Sequence, residues 1–385
     1  MLPQKVETLI IGGGVVGCSI AYWLAKSGRK PVLLEKDEIA SAASGSNLGQ
    51  ISITDRETGC QLDWSLRSLD LYREFDENGE FSTGLEETGG LFILKSREEA
   101  AKTMHLVTSH KAAGIDIEML YGEEVQRHEP LIHPSTAAAI WCAREGRVDP
   151  LSITYGLRDA AVQMGARVYT GTAVTGFETD AGRIVAVNTN RGRVETGTVV
   201  MATAAWTAEL CRGLGLLYPI GYDRANVFVC QPVPPCIRGP IVTGAFLTGE
   251  FVAGNWTNIG AMQHKNGSII LGQSTRSTED YNTGIAYEEP VHIARIFREY
   301  FPALSHLQVI RMWSGVTPAM PDEMPLFGWS GVYGNLFMAA GLKGAFTTAP
   351  AAGESAAQII TGGKSDIDCG EYSPKRFEKE AACAH

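Results

Sequence analysis

The sequence predicts an α/β fold combined with antiparallel β structure: a Rossmann-like dinucleotide-binding domain with a β-rich domain inserted into it. Three observations predict it. A glycine fingerprint joins an apolar strand to a helix within the first fifty residues. Strand–helix alternation then returns in the middle of the chain and again after residue 325. Strand-rich stretches separate these three segments. The simplest assembly takes residues 1–80, 145–215 and 325–385 as a discontinuous nucleotide domain. Residues 81–144 and 216–324 then form a substrate-binding domain inserted twice.

Val6 to Ile11 reads as a short buried strand, and Cys18 to Ser27 as a helix. The glycines between them serve separate purposes. Gly12 makes the tight turn, Gly14 lets the backbone approach a pyrophosphate, and Gly17 lets helix pack on strand. The first helical amides, at Val15 and Val16, face the phosphates at the positive end of the helix dipole. Pro31 to Leu34 is a second strand ending in Glu35, followed by Lys36. A carboxylate there accepts hydrogen bonds from ribose hydroxyls and disfavours a 2′-phosphate, so NADP is not the expected ligand.

Ala40 to Gln50 is small, polar and free of charge, a composition that brings backbone and hydroxyls against a ligand at little steric cost. Helices are expected over Leu62–Glu74, Glu98–Ala113, Leu151–Met164 and Pro290–Tyr300, with Gly114 and Gly165 as stops. Arg167–Gly171, Val174–Glu178, Ile184–Thr189 and Arg193–Glu195 read as short strands, and Thr198–Ala202 as a buried one before a helix at Ala205. Tyr218 to Gln273 is strand-rich. Leu336–Gly341 is a strand, and a helix is expected from about Pro350 to Ile360.

With 44% hydrophobic and 20% charged residues over 385 positions, the composition is that of a globular protein. A formal charge of -10 argues against a nucleic-acid or anionic-membrane surface. The eight cysteines are scattered, with no C-x-x-C pair and no metal or iron–sulfur spacing, which suits reduced core thiols in the cytoplasm. Leu9–Leu24 is apolar, but it lacks a basic leader, is broken by four glycines and is too short for a membrane span.

The chain resembles, over nearly its whole length, the flavin-dependent amine oxidoreductases of the D-amino-acid-oxidase superfamily. Within it the match is to the β subunits of sarcosine oxidase, opine dehydrogenase, hydroxyproline dehydrogenase and cyanide synthase. The fingerprint with Glu35, the loop Ala43-Ser44-Gly45-Ser46-Asn47, Val148-Asp149-Pro150 and Thr198 to Trp206 carry the resemblance. Its most specific pieces are Pro321 to Gly328 and Ala340-Gly341-Leu342-Lys343-Gly344-Ala345-Phe346. The resemblance implies FAD as cofactor and a glutathione-reductase-like nucleotide domain. It implies flavin contacts from Ser44, Gly45, Ser46, Asn47 and Gly49, adenine contacts from Val174, and a wall from Ala202 and Trp206. It also implies that Gly341, Leu342, Lys343, Gly344 and Ala345 close over the isoalloxazine and stabilise negative charge on reduced flavin. Two departures stand out: Lys343 replaces a frequent histidine, and Thr203-Ala204-Ala205-Trp206 replaces Ala-Gly-Ala-Trp.

Oxidation of an amino-acid-type amine needs the reacting carbon placed at the flavin and the carboxylate clamped, best by an arginine. Arg311 and Arg56 are the candidate clamps, each with a surface ion pair as its alternative reading. His264, expected on a strand over the flavin, could orient substrate or take a proton. Gln50 and Gln263 could hydrogen-bond substrate, Trp313 could wall the pocket, and Lys343 is the preferred catalytic cation. The expected activity is oxidation of sarcosine, an opine, hydroxyproline or glycine to an imine or 2-oxo acid. The alternatives are a 2-hydroxy-acid oxidoreductase and a flavin subunit active only within a complex. The chain has no iron–sulfur motif of its own, so as a dehydrogenase it would pass electrons to another chain or a soluble acceptor. The resemblance points to α and ferredoxin-like iron–sulfur partner subunits.

Overall fold

A computed structural model describes residues 1–248 and 255–381. The first segment contributes β1 (Lys5–Ile11), α1 (Val15–Lys26), β2 (Val32–Leu34), β3 (Gln50–Ile51) and α2 (Cys60–Glu77). There follow β4 (Gly90–Leu94), α3 (Arg97–Ala112), β5 (Ile117–Tyr121), α4 (Glu123–His128) and β6 (Ala138–Cys142). The middle segment runs through β7 (Gly146–Arg147), α5 (Pro150–Gln163), β8 (Arg167–Tyr169), β9 (Val174–Asp180), β10 (Arg183–Thr189), β11 (Gly192–Met201) and α6 (Thr207–Arg212). Next come β12 (Gly221–Cys230), β13 (Ile241–Thr243), α7 (Ala245–Thr248), β14 (Asn255–Gln263), β15 (Ile269–Thr278), α8 (Glu288–Tyr300) and β16 (Val309–Ala319). The last segment holds β17 (Leu326–Trp329), β18 (Leu336–Ala340), α9 (Ala345–Gly362) and α10 (Lys375–Ala381).

One sheet has the order β17-β18-β11-β1-β2-β8, with the β9–β10 hairpin attached to β11. Its centre is parallel: β1 pairs with β2 on one side and β11 on the other. Leu9, Ile10 and Ile11 are therefore buried on both faces, as a central parallel strand requires. The chain leaves β1 toward β2 and returns later to β11, so the carboxyl end of β1 is a topological switch point, where α/β sheets bind ligands. The two expected strands Arg193–Glu195 and Thr198–Ala202 are one continuous strand, β11. Gly197 lets it pass Glu7, since a Cβ there would lie 2.9 Å from the Glu7 carbonyl.

The other sheet has the order β16-β12-β15-β14-β13-β4-β6-β5. It is antiparallel except where β13 joins β4 in parallel, which unites strands from two distant stretches of chain. Tertiary wrapping of α1, α2, α5 and α9 buries one extended core that includes Trp64, Tyr72, Phe75 and Phe346.

α9 begins five residues before the expected start at Pro350, capped by Gly344 in the left-handed conformation. Pro350 then lies inside the helix, where its missing N–H leaves the Phe346 carbonyl without a helical donor. The Tyr72 hydroxyl donates to that carbonyl at 2.6 Å. Tyr72→Phe should therefore cost about 2 kcal/mol by stranding a buried acceptor. A denaturation midpoint equal to wild type would show that the carbonyl finds another donor.

Candidate active site

Three strand ends converge at the switch point: Gly12 after β1, Glu35 after β2, and Ala202 after β11. They border a cleft of about 980 Å³, closed by Ala40–Ser44, Thr172–Val174 and Trp206. Gly12 has φ +112°, and a Cβ on it would lie 2.3 Å from the Ala202 carbonyl. A Cβ on Gly17 would lie 2.0 Å from the Gly12 carbonyl, so α1 seats directly on the turn. Gly14 differs: its Cβ would meet only the Ser44 hydroxyl, at 3.0 Å, and the residue lines the cleft.

The chemistry of this cradle fits a dinucleotide. No acidic side chain occupies the first turn of α1, so its positive end is left for an anion. The Val15 amide donates to Ser44 Oγ at 3.0 Å, which draws the small-residue loop over the same helix end; Val16 follows one residue on in α1. The Glu35 carboxylate takes the amides of Gly13 at 2.7 Å and Asp37 at 2.8 Å, and is thereby fixed at the cleft edge. At the far end Lys36 lies 4.4 Å from the centre of the Trp206 ring, which packs against Tyr281 at 4.4 Å with the rings tilted by 35°. Val174 lines this end as well.

A second cleft of about 1040 Å³ meets the first at Ala43. The small-residue loop forms one wall. Gly49 has φ +80°, its amide bonds Asn47 Oδ1 at 2.7 Å, and Ser46 and Asn47 face the cleft. Gly45 packs on the Ala40 carbonyl, where a Cβ would sit 2.2 Å away. Gln50, on β3, lines the cleft beside Arg56. The opposite wall is the β-rich sheet, through Ala225, Val227, Val242, Gln273 and Thr317.

Gly341 to Ala345 form the turn from β18 into α9: Gly341 has φ +78°, Leu342 packs on the core, and Lys343 and Gly344 reach the cleft. Lys343 Nζ lies 3.4 Å from Asp223 and 3.8 Å from Glu323. Arg56 is buried, donates from Nε to the Ser52 carbonyl at 3.3 Å and lies 3.3 Å from Asp55. Its guanidinium rests on Gly344, where a Cβ would be 2.3 Å from Nη2.

Other expected site residues stand elsewhere. Arg311 is exposed on β16 and lies over the Trp313 ring, at 5.6 Å, outside the cleft. His264 is not on a strand: it is in the turn after β14, because the Gly267 amide folds back onto its carbonyl. Burial and the Arg147 charge hold its imidazole below the usual histidine range, and it does not line the cleft. Gln263 spends its amide on the backbone of Val233, Pro234, Cys236, Ile237 and Gly267, so it has no group for a ligand. Trp313 acts behind the wall, donating to the Ser46 carbonyl at 3.0 Å. Sequence reasoning misses Asp55, Asp223 and Gln273. The adjacent pair Asp55-Arg56 is the available signal for the first; Asp223, on β12, meets Lys343 from outside the cleft lining, and Gln273 reaches the cleft at the irregularity in the β12–β15 pairing. Among the described residues, no cysteine lines either cleft and no cluster of metal-binding side chains occurs. No described helix is long and apolar enough to cross a membrane.

The chain is similar to known proteins over nearly its whole length. The sarcosine oxidase β subunit of Rhodobacter capsulatus is 22% identical over 98% of this chain and 89% of its own. An opine oxidase subunit of Rhizobium meliloti is 25% identical over 98% and 99%. The crystal structure of L-proline dehydrogenase from P. horikoshii superposes with a TM-score of 0.90, at 29% identity, over 98% of this chain and 99% of that one. The family model for FAD-dependent oxidoreductases matches residues 7–359. The chain belongs to the DAO family of FAD-dependent oxidoreductases, whose dinucleotide cofactor the chemistry of the first cleft fits.

Proposed function

We propose that this chain oxidises an amino-acid-type amine to an imine or 2-oxo acid. The expected substrates are secondary amines such as sarcosine, an opine or hydroxyproline, or glycine. The names of its relatives, which include sarcosine oxidase, opine oxidase and proline dehydrogenase, support the class. The observation that carries it is Arg56. A buried guanidinium set against the N-terminus of α9 places two positive ends together, which is unfavourable unless an anion lies beside them. Asp55, 3.3 Å from Arg56, supplies one such anion; with the helix end there as a second positive group, a substrate carboxylate supplies another, which a guanidinium can hold bidentately. Asp55 lies against Arg56, and Asp223 and Glu323 lie against Lys343, so cationic and acidic groups stand together, which suits a molecule carrying both a carboxylate and an amine.

FAD, when bound, accepts the equivalent of a hydride from the carbon bearing nitrogen. The chain binds, orients and excludes water. Arg56 fixes the carboxylate, Gln50 and Gln273 offer amides, and Phe92, Val227 and Val242 form the apolar wall against bulk solvent. Lys343 sets the local charge, with Asp223 as its counterweight. Lys343→Met should lower the reduction potential of bound FAD by roughly 30 mV, about 1.4 kcal/mol for a two-electron couple. Asp223→Asn should raise it by uncovering the same charge. Equal potentials in all three proteins would remove Lys343 from the flavin's neighbourhood.

The function is tested by anaerobic reduction of bound flavin with a matched set: amino acid, N-methyl amino acid, decarboxylated amine and 2-hydroxy acid. Bleaching by an amino acid and not by its decarboxylated amine is expected. Bleaching by the hydroxy acid alone would overturn the reading. A second reading, activity within a complex, is favoured by relatives that are named as subunits yet match this chain end to end. Reduction by substrate with slow re-oxidation in air, relieved by an added electron acceptor, is its signature.

A further inference from the structure

Glu145 lies in the turn between β6 and β7 and is 1% exposed. Its Oε1 accepts two consecutive amides, from Ile53 at 2.9 Å and Thr54 at 2.8 Å, while its buried Oε2 has no hydrogen-bond partner. The stretch it holds, Ser52 to Arg56, is the one that presents Asp55 and Arg56 to the cleft. Two further fastenings come from other elements. Thr347 of α9 accepts the Ser52 amide at 3.2 Å, and His110 of α3 meets the Ile53 carbonyl at 3.1 Å. Glu145 alone holds two amides of this stretch, and it does so across from the β-rich part of the chain.

We propose that Glu145 is a positioning residue for substrate binding: it fixes the Ser52–Arg56 loop, and its own charge state sets how strongly Arg56 holds an anion. The second half rests on the reading of Arg56 as the carboxylate clamp. A buried carboxyl with one bare oxygen is costly to ionise. Burial pushes Glu145 up to about 7, and the Asp55 carboxylate adds to the push while the two amides oppose it. The titratable neighbours are few. On its own turn are Cys142, whose thiol burial holds up to about 12, and Arg144, which is turned to Glu87 and Asp70. The loop brings Asp55 and Arg56, and α3 brings His110, whose ring nitrogens face the carbonyls of Leu106 and Ile53. From β4 the contact is Gly90, which does not titrate.

The sign follows. Below about pH 7 Glu145 is neutral and Arg56 meets the substrate carboxylate with no extra negative charge behind it. Above that, an ionised Glu145 repels the carboxylate, and KM should rise by ~5-fold with kcat little changed. Glu145→Gln keeps the carbonyl oxygen for both amides and cannot ionise. Its KM, taken as a ratio to wild type at each pH so that the substrate's own amine titration cancels, should fall below one as pH rises through 7. Glu145→Val removes the acceptor, and hydrogen exchange of the Ile53 and Thr54 amides should quicken by about 100-fold. A KM ratio that stays flat with pH overturns the electrostatic role. Unchanged exchange at Ile53 and Thr54 overturns the positioning role. If Glu145→Val does not fold, the protection factors of the Ile53 and Thr54 amides, corrected for the intrinsic base-catalysed exchange, are decisive: they should change through pH 7 in wild type and stay constant in Glu145→Gln. An Arg56 variant with wild-type KM would fell the clamp alone, because the exchange result does not depend on it.

Discussion

Gly14→Val is expected to give a folded protein that has lost its flavin. A Cβ at this position meets only the Ser44 hydroxyl within 4 Å, and the residue lines the cleft. It fills the space the pyrophosphate needs and shields the α1 amides from it. A penalty of about 4 kcal/mol corresponds to roughly a thousandfold in FAD affinity, enough to strip the protein during purification. The contrast with Gly17→Val makes the test sharp. A Cβ at Gly17 would lie 2.0 Å from the Gly12 carbonyl. Nor can α1 retreat, since on its other side Gly353 of α9 packs so closely that a Cβ there would meet Ser19 Oγ at 2.1 Å. Overpacking of this kind costs about 3 kcal/mol or more and should lower the melting temperature by roughly 4 °C or more. Visible absorbance against protein absorbance, with circular dichroism as the check on folding, separates the two. Full flavin content in folded Gly14→Val protein would move the phosphates away from this turn.

What is legible in the chain follows from the range of each cause. The placement of Gly12, Gly14, Gly17 and Glu35 at one strand–turn–helix junction is set by local spacing, so a short stretch suffices to read it. The α/β class follows from alternation, also a local property. Lys343 can be located in the turn before a helix, but its partner Asp223 lies 120 positions earlier and arrives through the pairing of β12 with β16. Arg56 and Arg311 look equivalent in sequence because burial is a tertiary property: one is sealed beneath α9, the other stands on an exposed strand end. Glu145 carries no local signal, because the Ile53 and Thr54 amides it holds lie 92 and 91 positions earlier. The start of α9 is hidden by Pro350, which local rules place at a helix start, because the donor that makes it tolerable inside comes from Tyr72, 274 positions from Phe346.

Arg56→Gln should raise KM for an amino-acid substrate by about 100-fold, or roughly 3 kcal/mol, with a much smaller change in kcat. Removing the guanidinium leaves a carboxylate in a buried cleft without its charged partner, and Lys343 cannot take over while Asp223 and Glu323 hold it. Arg56→Lys keeps the charge but loses the two-pronged geometry, so an intermediate loss of about tenfold is expected. Discrimination offers a second readout. Wild type should prefer an amino acid strongly over its primary amide, and the Gln variant should treat the two nearly alike, since neither then meets a cation at that position. Stability supplies a third. Asp55 lies 3.3 Å from the guanidinium and would be left without its partner, so the Gln variant should melt lower than wild type as well as showing the raised KM. A variant with unchanged KM and a lowered melting temperature would instead make Arg56 a structural partner of Asp55, and the positive end of α9 would then have to hold the substrate's carboxylate on its own.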